Sequence, residues 1–83
     1  MEVYVGTILL FAFNYAPDDG CNWMPCYGQT LQIYQYQALF AVLGTKYGGD
    51  GTTTFGLPNL KGSEPDPNMG YFIATAGLFP SRQ

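Results

Sequence analysis

The chain has 83 residues, of which 47% are hydrophobic, 17% are aromatic and only 11% are charged, and its formal net charge is −3. This length suits one domain spanning residues 1–83, whose core would bury about 60 to 65% of the unfolded surface, so we expect a further source of stability. The three basic residues, Lys46, Lys61 and Arg82, are isolated, and no run of about 20 apolar residues occurs, which argues against nucleic acid as a partner and against a membrane span.

The small number of charges also predicts how the surface behaves. Proteins usually carry about 25% charged residues, so this composition predicts exposed apolar patches of the kind that mark interaction surfaces. The alternative is a surface rich in Tyr and Gly that stays soluble without charge.

The first predicted element is a strand over Val3 to Phe13, which is apolar at both alternating sets of positions. A half-exposed strand should alternate with polar residues, so we expect both faces to be covered, one by the domain itself and the other by a neighbouring copy. The apolar stretch from Val5 to Phe13 follows Glu2 without a preceding Lys or Arg, and no small-residue cleavage pattern follows it. We therefore expect no recognisable signal peptide.

The middle of the chain contains the one predicted helix. Asp and Gly residues predict a turn over Ala16 to Gly20, and a short extended piece over Tyr27 to Ile33 follows it. The segment from Gln35 to Leu43 then places apolar residues on one helical face, and Gly44 provides the C-terminal stop. The residues of that face are Tyr36, Leu39, Phe40 and Leu43.

The remaining half predicts loops and a last strand. Tyr47 to Gly62 is expected to be an ordered Gly-rich loop anchored by Phe55, Leu57 and Leu60, and Ser63 to Gly70 a second turn region. Tyr71 to Ala76 has the aromatic and β-branched character of a strand. The fold class is therefore α+β, a small strand-rich domain with one short helix and long ordered Gly-rich loops.

Catalytic and metal-binding patterns are weak. The chain has no histidine, so Ser, Cys or Thr nucleophiles lack their usual base, and two cysteines cannot complete a zinc site within one chain. The Gly48 to Gly51 loop lacks the Lys that a phosphate-binding loop carries. We expect no enzymatic activity, no cofactor and no metal.

Two features leave alternatives open. Cys21 and Cys26 form a local disulfide if the turn between them brings their α-carbons within about 4.4 to 6.8 Å; otherwise they are two reduced, partly buried thiols. Tyr15, Trp23 and Tyr27 lie near amide and carboxylate side chains and form either a saccharide-binding face or ordinary core and subunit contacts.

Motifs along nearly the whole chain resemble the phage tail collar domain family, including the microcystin-dependent bacterial proteins. The matching residues, in order, are Trp23, Cys26, Gly28-Gln29, Ala38-Leu39-Phe40, Leu43-Gly44-Thr45 and Tyr47-Gly48-Gly49-Asp50-Gly51. The resemblance implies a collar-like, usually homotrimeric fibre or tip module of tails and tail-like particles. Relatives carry a long, often His-bearing insertion before the C-terminal strand, whereas here only Ser63 to Gly70 lies between Gly62 and Tyr71, so adhesion and zinc binding are not carried over.

The sequence therefore predicts a non-enzymatic structural protein that self-associates through apolar strands, as a filament or, ranked slightly lower, as a closed trimer. The predicted contact residues are Val3, Tyr4, Val5, Leu9, Tyr71, Phe72, Ile73, Phe79 and Pro80. The rival hypothesis is a trimeric receptor-binding or saccharide-binding tip module that contacts a cell-surface glycan. Both hypotheses predict an extracellular location, as an appendage or as part of a virion or tail-like particle.

Overall fold

The computed structural model describes residues 3–13, 15 and 22–78, and its regular elements are short. The strands are β1 (Ile8–Phe11), β2 (Trp23–Pro25), β3 (Thr30–Gln32), β4 (Thr54–Gly56) and β5 (Gly70–Ala74), and the one α-helix among the described residues is α1 (Gln37–Leu43). The α+β prediction is confirmed. The predicted turn over Ala16 to Gly20 lies outside the described residues.

The helix forms where the apolar spacing predicts it. Leu39 is fully buried, and Tyr36, Phe40 and Leu43 pack around the same cluster. The helix begins at Gln37 rather than Gln35, because Ile33–Gln35 forms a 3-10 turn and Tyr36 precedes the helix without a side-chain cap. Gly44 ends the helix as predicted, with a φ of +61° and its N–H donated to the Phe40 carbonyl at 2.7 Å.

A three-stranded antiparallel sheet has the order β1-β5-β2. β5 is the central strand, with Leu9 opposite Phe72 on one side and Trp23 opposite Ala74 on the other. Residues of a strand alternate between the two faces of the sheet, so Ile73 faces one way and Phe72 and Ala74 the other. The final strand was predicted over Tyr71 to Ala76, close to its actual bounds, whereas β2 was not predicted.

Each face of this sheet carries a hydrophobic cluster. The central cluster lies between the sheet, α1 and β4 and consists of Val5, Cys26, Leu39, Phe55, Leu57 and Ile73. The second cluster lies on the opposite face and consists of Trp23, Phe72 and Ala74. Ile8 packs against the central cluster and Leu9 and Phe11 against the second, so the chain itself supplies residues to both faces of β1, whose four side chains all stay partly exposed. Cover of one face by a neighbouring copy stays a prediction.

The first strand is shorter than predicted because the chain turns at Gly6. This glycine has a φ of +91°, and the Thr7 N–H is donated to the Tyr4 carbonyl at 3.1 Å. The Gly6 N–H is donated to the Ala74 carbonyl, and the Ala74 N–H to the Thr7 carbonyl. Ala74 of β5 therefore faces both Gly6 and Thr7, and the ladder has a bulge there. Regular pairing therefore starts only at Ile8.

The segment from Tyr47 to Gly62 is ordered, as predicted, and Phe55 and Leu57 are fully buried. It is not a loop throughout, since β4 pairs with β3 and places Leu31 opposite Phe55. The turn region after it is confirmed by the Met69 N–H, which is donated to the Asp66 carbonyl at 3.0 Å. Gly70, predicted as part of that turn, instead begins β5.

Candidate functional site

β1 is an edge strand of the three-stranded sheet among the described residues. It pairs with β5 on one side, and the strand order places no other described strand on its outer side. Its four residues are Ile8, Leu9, Leu10 and Phe11, none of them charged and none of them proline. All four side chains are partly exposed.

Two exposed apolar residues lie close to the start of this strand. Tyr4 and Leu78 form an isolated parallel bridge, in which the Val5 N–H is donated to the Leu78 carbonyl at 2.7 Å and the Leu78 N–H to the Val3 carbonyl at 2.9 Å. Tyr4 is 56% exposed and Leu78 49% exposed. We call these two residues, together with the partly buried Leu9 of β1, the edge surface.

The structure changes which of the predicted contact residues can lie at a surface. Val5, Phe72 and Ile73 are buried in the two clusters of the domain itself, so within this fold they are core residues, a correction to the predicted contact set. Alternation does not reveal this burial, because both faces of the sheet are apolar. Val3, Leu9 and Tyr71 are partly buried, Tyr4 is exposed, and Phe79 and Pro80 lie outside the described residues.

The aromatic residues considered for saccharide binding do not form one face. Trp23 is buried and meets Phe11 edge to face, with ring centroids 5.2 Å apart. Phe13 stacks on Phe11 at 5.1 Å, and Tyr15, which is exposed, stacks on Phe13 at 4.6 Å. Tyr15 is therefore the accessible end of a series of aromatic rings whose other end is core.

Tyr27 has different neighbours. The Lys61 ammonium lies 5.3 Å from the centroid of its ring, a cation–π geometry. The Tyr27 N–H is donated to the Gln29 side-chain oxygen at 3.0 Å, and the Gln29 amide donates to the Pro25 carbonyl at 2.7 Å. This arrangement fixes the turn and covers part of the ring that a sugar would need.

The Gly-rich loop is held by one carboxylate rather than open to an anion. The backbone N–H groups of Thr52, Thr53 and Thr54 are donated to Asp50 Oδ1 at 2.8, 2.8 and 3.0 Å, and the Thr53 hydroxyl to Oδ2 at 3.0 Å. These hydrogen bonds, led by the one from the Thr53 backbone, hold the pKa of Asp50 well below its usual range. The loop is thus a structural turn, and its amides are already occupied by the chain's own anion.

Cys26 is a buried free thiol within the central cluster, and burial raises its pKa to about 11. At neutral pH such a thiol carries little of the thiolate that binds metals and attacks electrophiles. Cys21 lies outside the described residues, so the Cys21–Cys26 disulfide stays a prediction.

The described part of the chain shows neither a cluster of metal-ligating side chains nor a membrane-spanning helix. Residues 3–13, 15 and 22–78 contain no group of three or more His, Cys, Asp or Glu side chains placed to hold a metal ion. The same residues contain no helix with the length and apolarity needed to cross a bilayer.

Sequence reasoning missed Leu78 as a contact candidate, although it named the two residues that follow it. The signal available was its position after the last strand in a Gly-Leu-Phe-Pro segment. Its pairing with Tyr4 joins residues far apart in sequence, so no local pattern could show it.

Comparison with known proteins identifies a family for this chain. No curated protein matches the sequence. The profile of the phage tail collar domain family matches residues 6–65, a span that covers more than half of the chain and includes β1, α1 and the Asp50 loop. The chain therefore belongs to the phage tail collar domain family.

Proposed function

We propose that this protein is a non-enzymatic structural subunit of a phage tail or tail-like particle, and that it assembles with copies of itself into an extracellular fibre or filament. Membership of the tail collar family supports the structural role. The assembly is argued from the position and composition of β1.

The observation that carries the proposal is an edge strand without a protective residue. An edge strand presents unpaired N–H and C=O groups, and monomeric proteins commonly block such edges with Lys, Pro or an inward-pointing charge. β1 contains none of these over Ile8–Phe11, and the bulge at Gly6 and Thr7 confines the regular part of the edge to these four residues. Because alternate residues of an antiparallel strand direct their backbone groups away from the partner strand, β1 can accept a second strand by β-augmentation.

The side chains around this edge favour the same outcome. Leu9 lies opposite Phe72 on the face of the second cluster, and Tyr4 and Leu78 lie half exposed near the strand's start. A strand added from another copy would bury such apolar surface. Each Å² of apolar surface removed from water stabilises the contact by about 25 cal/mol. The low charge of the chain, 11% of residues, leaves few groups to oppose this contact.

We rank an open filament above a closed trimer. A strand that adds to β1 need not come from β1 of the other copy, and a head-to-tail contact that does not close generates a helical fibre. A closed trimer, the state usual in the family, is produced by the same contact if its rotation closes after three copies.

The alternative function is a trimeric tip module that binds a receptor saccharide of the cell surface through Tyr15, Trp23 and Tyr27. One observation favours it, namely that Tyr15 is exposed at the end of the stacked rings. Two observations weigh against it, because Trp23 is buried and Lys61 lies over the Tyr27 ring.

Electron microscopy of purified protein, with matched variants, tests the assembly proposal. Leu9→Arg and Leu78→Arg each place a charge on the edge surface, and Ala41→Arg places the same charge on an exposed position of α1. We expect threads or uniform trimers from wild type and Ala41→Arg, and single molecules with native circular dichroism from at least one edge variant. Threads or trimers that persist unchanged in both edge variants would contradict the choice of β1.

A further inference from the structure

A cleft separate from the edge surface lies between the start of α1 and the Asp50 loop. Its volume is about 400 Å³, within the lower part of the range of small-molecule sites. One wall is built by Gln32, Ile33, Tyr34 and Gln37, and the other by Thr52, Thr53 and Thr54. Neither the edge surface nor the aromatic series ending at Tyr15 contributes to it.

The two walls are fixed to each other by backbone hydrogen bonds. The Ile33 N–H is donated to the Thr53 carbonyl at 3.0 Å, and Gln32 lies opposite Thr54 in the β3–β4 ladder. Asp50 fixes the threonine wall by accepting hydrogen bonds from its three backbone N–H groups. A ligand that enters this cleft therefore finds walls already in place and loses little affinity to ordering them.

The lining groups define the chemistry of a ligand. Among the described residues that line the cleft none is charged, so a phosphate, a carboxylate or a cation gains no ionic partner there. Gln32 and Gln37 each offer an amide that can both donate and accept, and the Thr52 hydroxyl adds a further group of both kinds. The Thr53 hydroxyl is donated to Asp50 Oδ2, and Thr54 Oγ1 accepts the Asp50 N–H. Tyr34 is 69% exposed and provides an aromatic surface.

A neutral saccharide matches this set. Its ring presents an apolar C–H face to an aromatic side chain, and its hydroxyls bond amide and hydroxyl groups that donate and accept at once. We propose that the cleft binds one or two units of a neutral saccharide, with Tyr34 as the stacking platform and Gln32, Gln37 and Thr52 as hydrogen-bonding groups. The proposal does not depend on self-assembly, and it places the sugar away from Tyr15, Trp23 and Tyr27.

Saturation-transfer difference NMR tests this site, because it observes the sugar. Saturation spreads more efficiently in large particles than in single molecules, so wild type and variants are compared in the same assembly state. The probes are the methyl glycosides of glucose, galactose, mannose and N-acetylglucosamine at millimolar concentration. Tyr34→Ala removes the platform, and Tyr47→Ala removes a similarly exposed tyrosine that does not line the cleft. Both tyrosines are exposed, so neither truncation opens a cavity in the core.

We expect at least one glycoside to give a difference signal with wild type and Tyr47→Ala, with a Kd of about 1 to 10 mM, as small ligands of this size allow. Tyr34→Ala should weaken that affinity by about tenfold or more. Absence of a signal from all four glycosides, or an equal signal from Tyr34→Ala, would overturn the proposal. Micrographs of the same Tyr34→Ala protein should still show the wild-type assembly, so failure of this site and failure of the assembly proposal are distinguishable.

Discussion

Replacement of Gly49 by alanine tests the close packing of the Gly-rich loop against β4. Gly49 has a φ of +90°, and a Cβ atom there would lie 2.6 Å from the Phe55 nitrogen and 2.6 Å from the Thr54 carbonyl oxygen. These are backbone atoms of a paired strand, which cannot move aside without disturbing the ladder. Gly62 has the same φ of +90°, but a Cβ added there meets nothing within 4 Å, so Gly62→Ala is a matched control.

Both variants place an alanine at a φ of +90°, and only Gly49→Ala adds a steric clash with the backbone of β4. A left-handed conformation costs an alanine about 1 to 2 kcal/mol, and this is all that Gly62→Ala should lose. In Gly49→Ala the loop must also withdraw from β4, which threatens the bond from the Gly56 N–H to the Gly48 carbonyl and that from the Gly51 N–H to the Thr54 carbonyl, each 2.9 Å long. At about 1 kcal/mol per bond, we expect Gly49→Ala to be less stable than Gly62→Ala by about 2 kcal/mol.

Urea unfolding followed by fluorescence of Trp23, the one tryptophan of the chain, measures both variants. Protein concentration must be equal in all samples, because self-association makes apparent stability depend on it. A difference of 2 kcal/mol is about thirtyfold in the unfolding equilibrium. Equal destabilisation of the two variants would show that the loop does not rest on β4 as described.

Three further predictions concern the core and its ionisable groups. Leu39→Ala, which empties a fully buried position of the central cluster, should lower the free energy of unfolding by about 2 to 5 kcal/mol, and a loss under 1 kcal/mol in urea titrations would argue against that packing. Because hydrogen bonds lower the pKa of folded Asp50, the carboxylate stabilises the fold above its ordinary pKa and loses this effect as pH falls. The stability gap between wild type and Asp50→Asn should therefore shrink below about pH 3.9, and a gap independent of pH would exclude this role. Cys26 has a pKa raised to about 11 in the folded protein, whereas an ordinary thiol has a pKa of about 8.5. Its reaction with iodoacetamide at pH 8, followed by peptide mass spectrometry, should therefore be at least about a hundredfold slower in the folded protein than in urea. Similar rates in the two states would show that the thiol is accessible.

The helix was predictable from sequence because its information is local. Tyr36, Leu39, Phe40 and Leu43 repeat with the period of one helical face, and Gly44 supplies a positive φ at the stop. Its first turn was less predictable, since no Ser, Thr, Asp or Asn marks the start. The chain instead passes through a 3-10 turn before Gln37.

The two unpredicted strands depend on distant partners. β2 and β4 contain three residues each, too few for a periodicity of two to be recognised. Trp23 becomes part of a strand because Ala74 lies opposite it, and Thr54 because Gln32 does. Pro25 lies at the end of β2 on an edge of the sheet, where proline is tolerated.

The residues of the candidate sites, like the secondary-structure elements, were predictable from the sequence only in part. Composition indicated an apolar interaction surface, and the predicted first strand supplied Tyr4 and Leu9 to it; in the structure Tyr4 is exposed and Leu9 is partly buried. Sequence could not assign Phe72 and Ile73 to the core, because each face of the central strand carries its own cluster. The cleft beside Tyr34 is formed by two segments that only the β3–β4 pairing brings together.

Sedimentation velocity of the wild-type protein over a wide concentration range tests the central claim of self-association most directly. The chain has a mass of 9.1 kDa. We predict that the protein sediments as trimers or as much larger particles down to micromolar concentration. A single species of 9.1 kDa with a native circular dichroism spectrum, persisting at millimolar concentration, would contradict it.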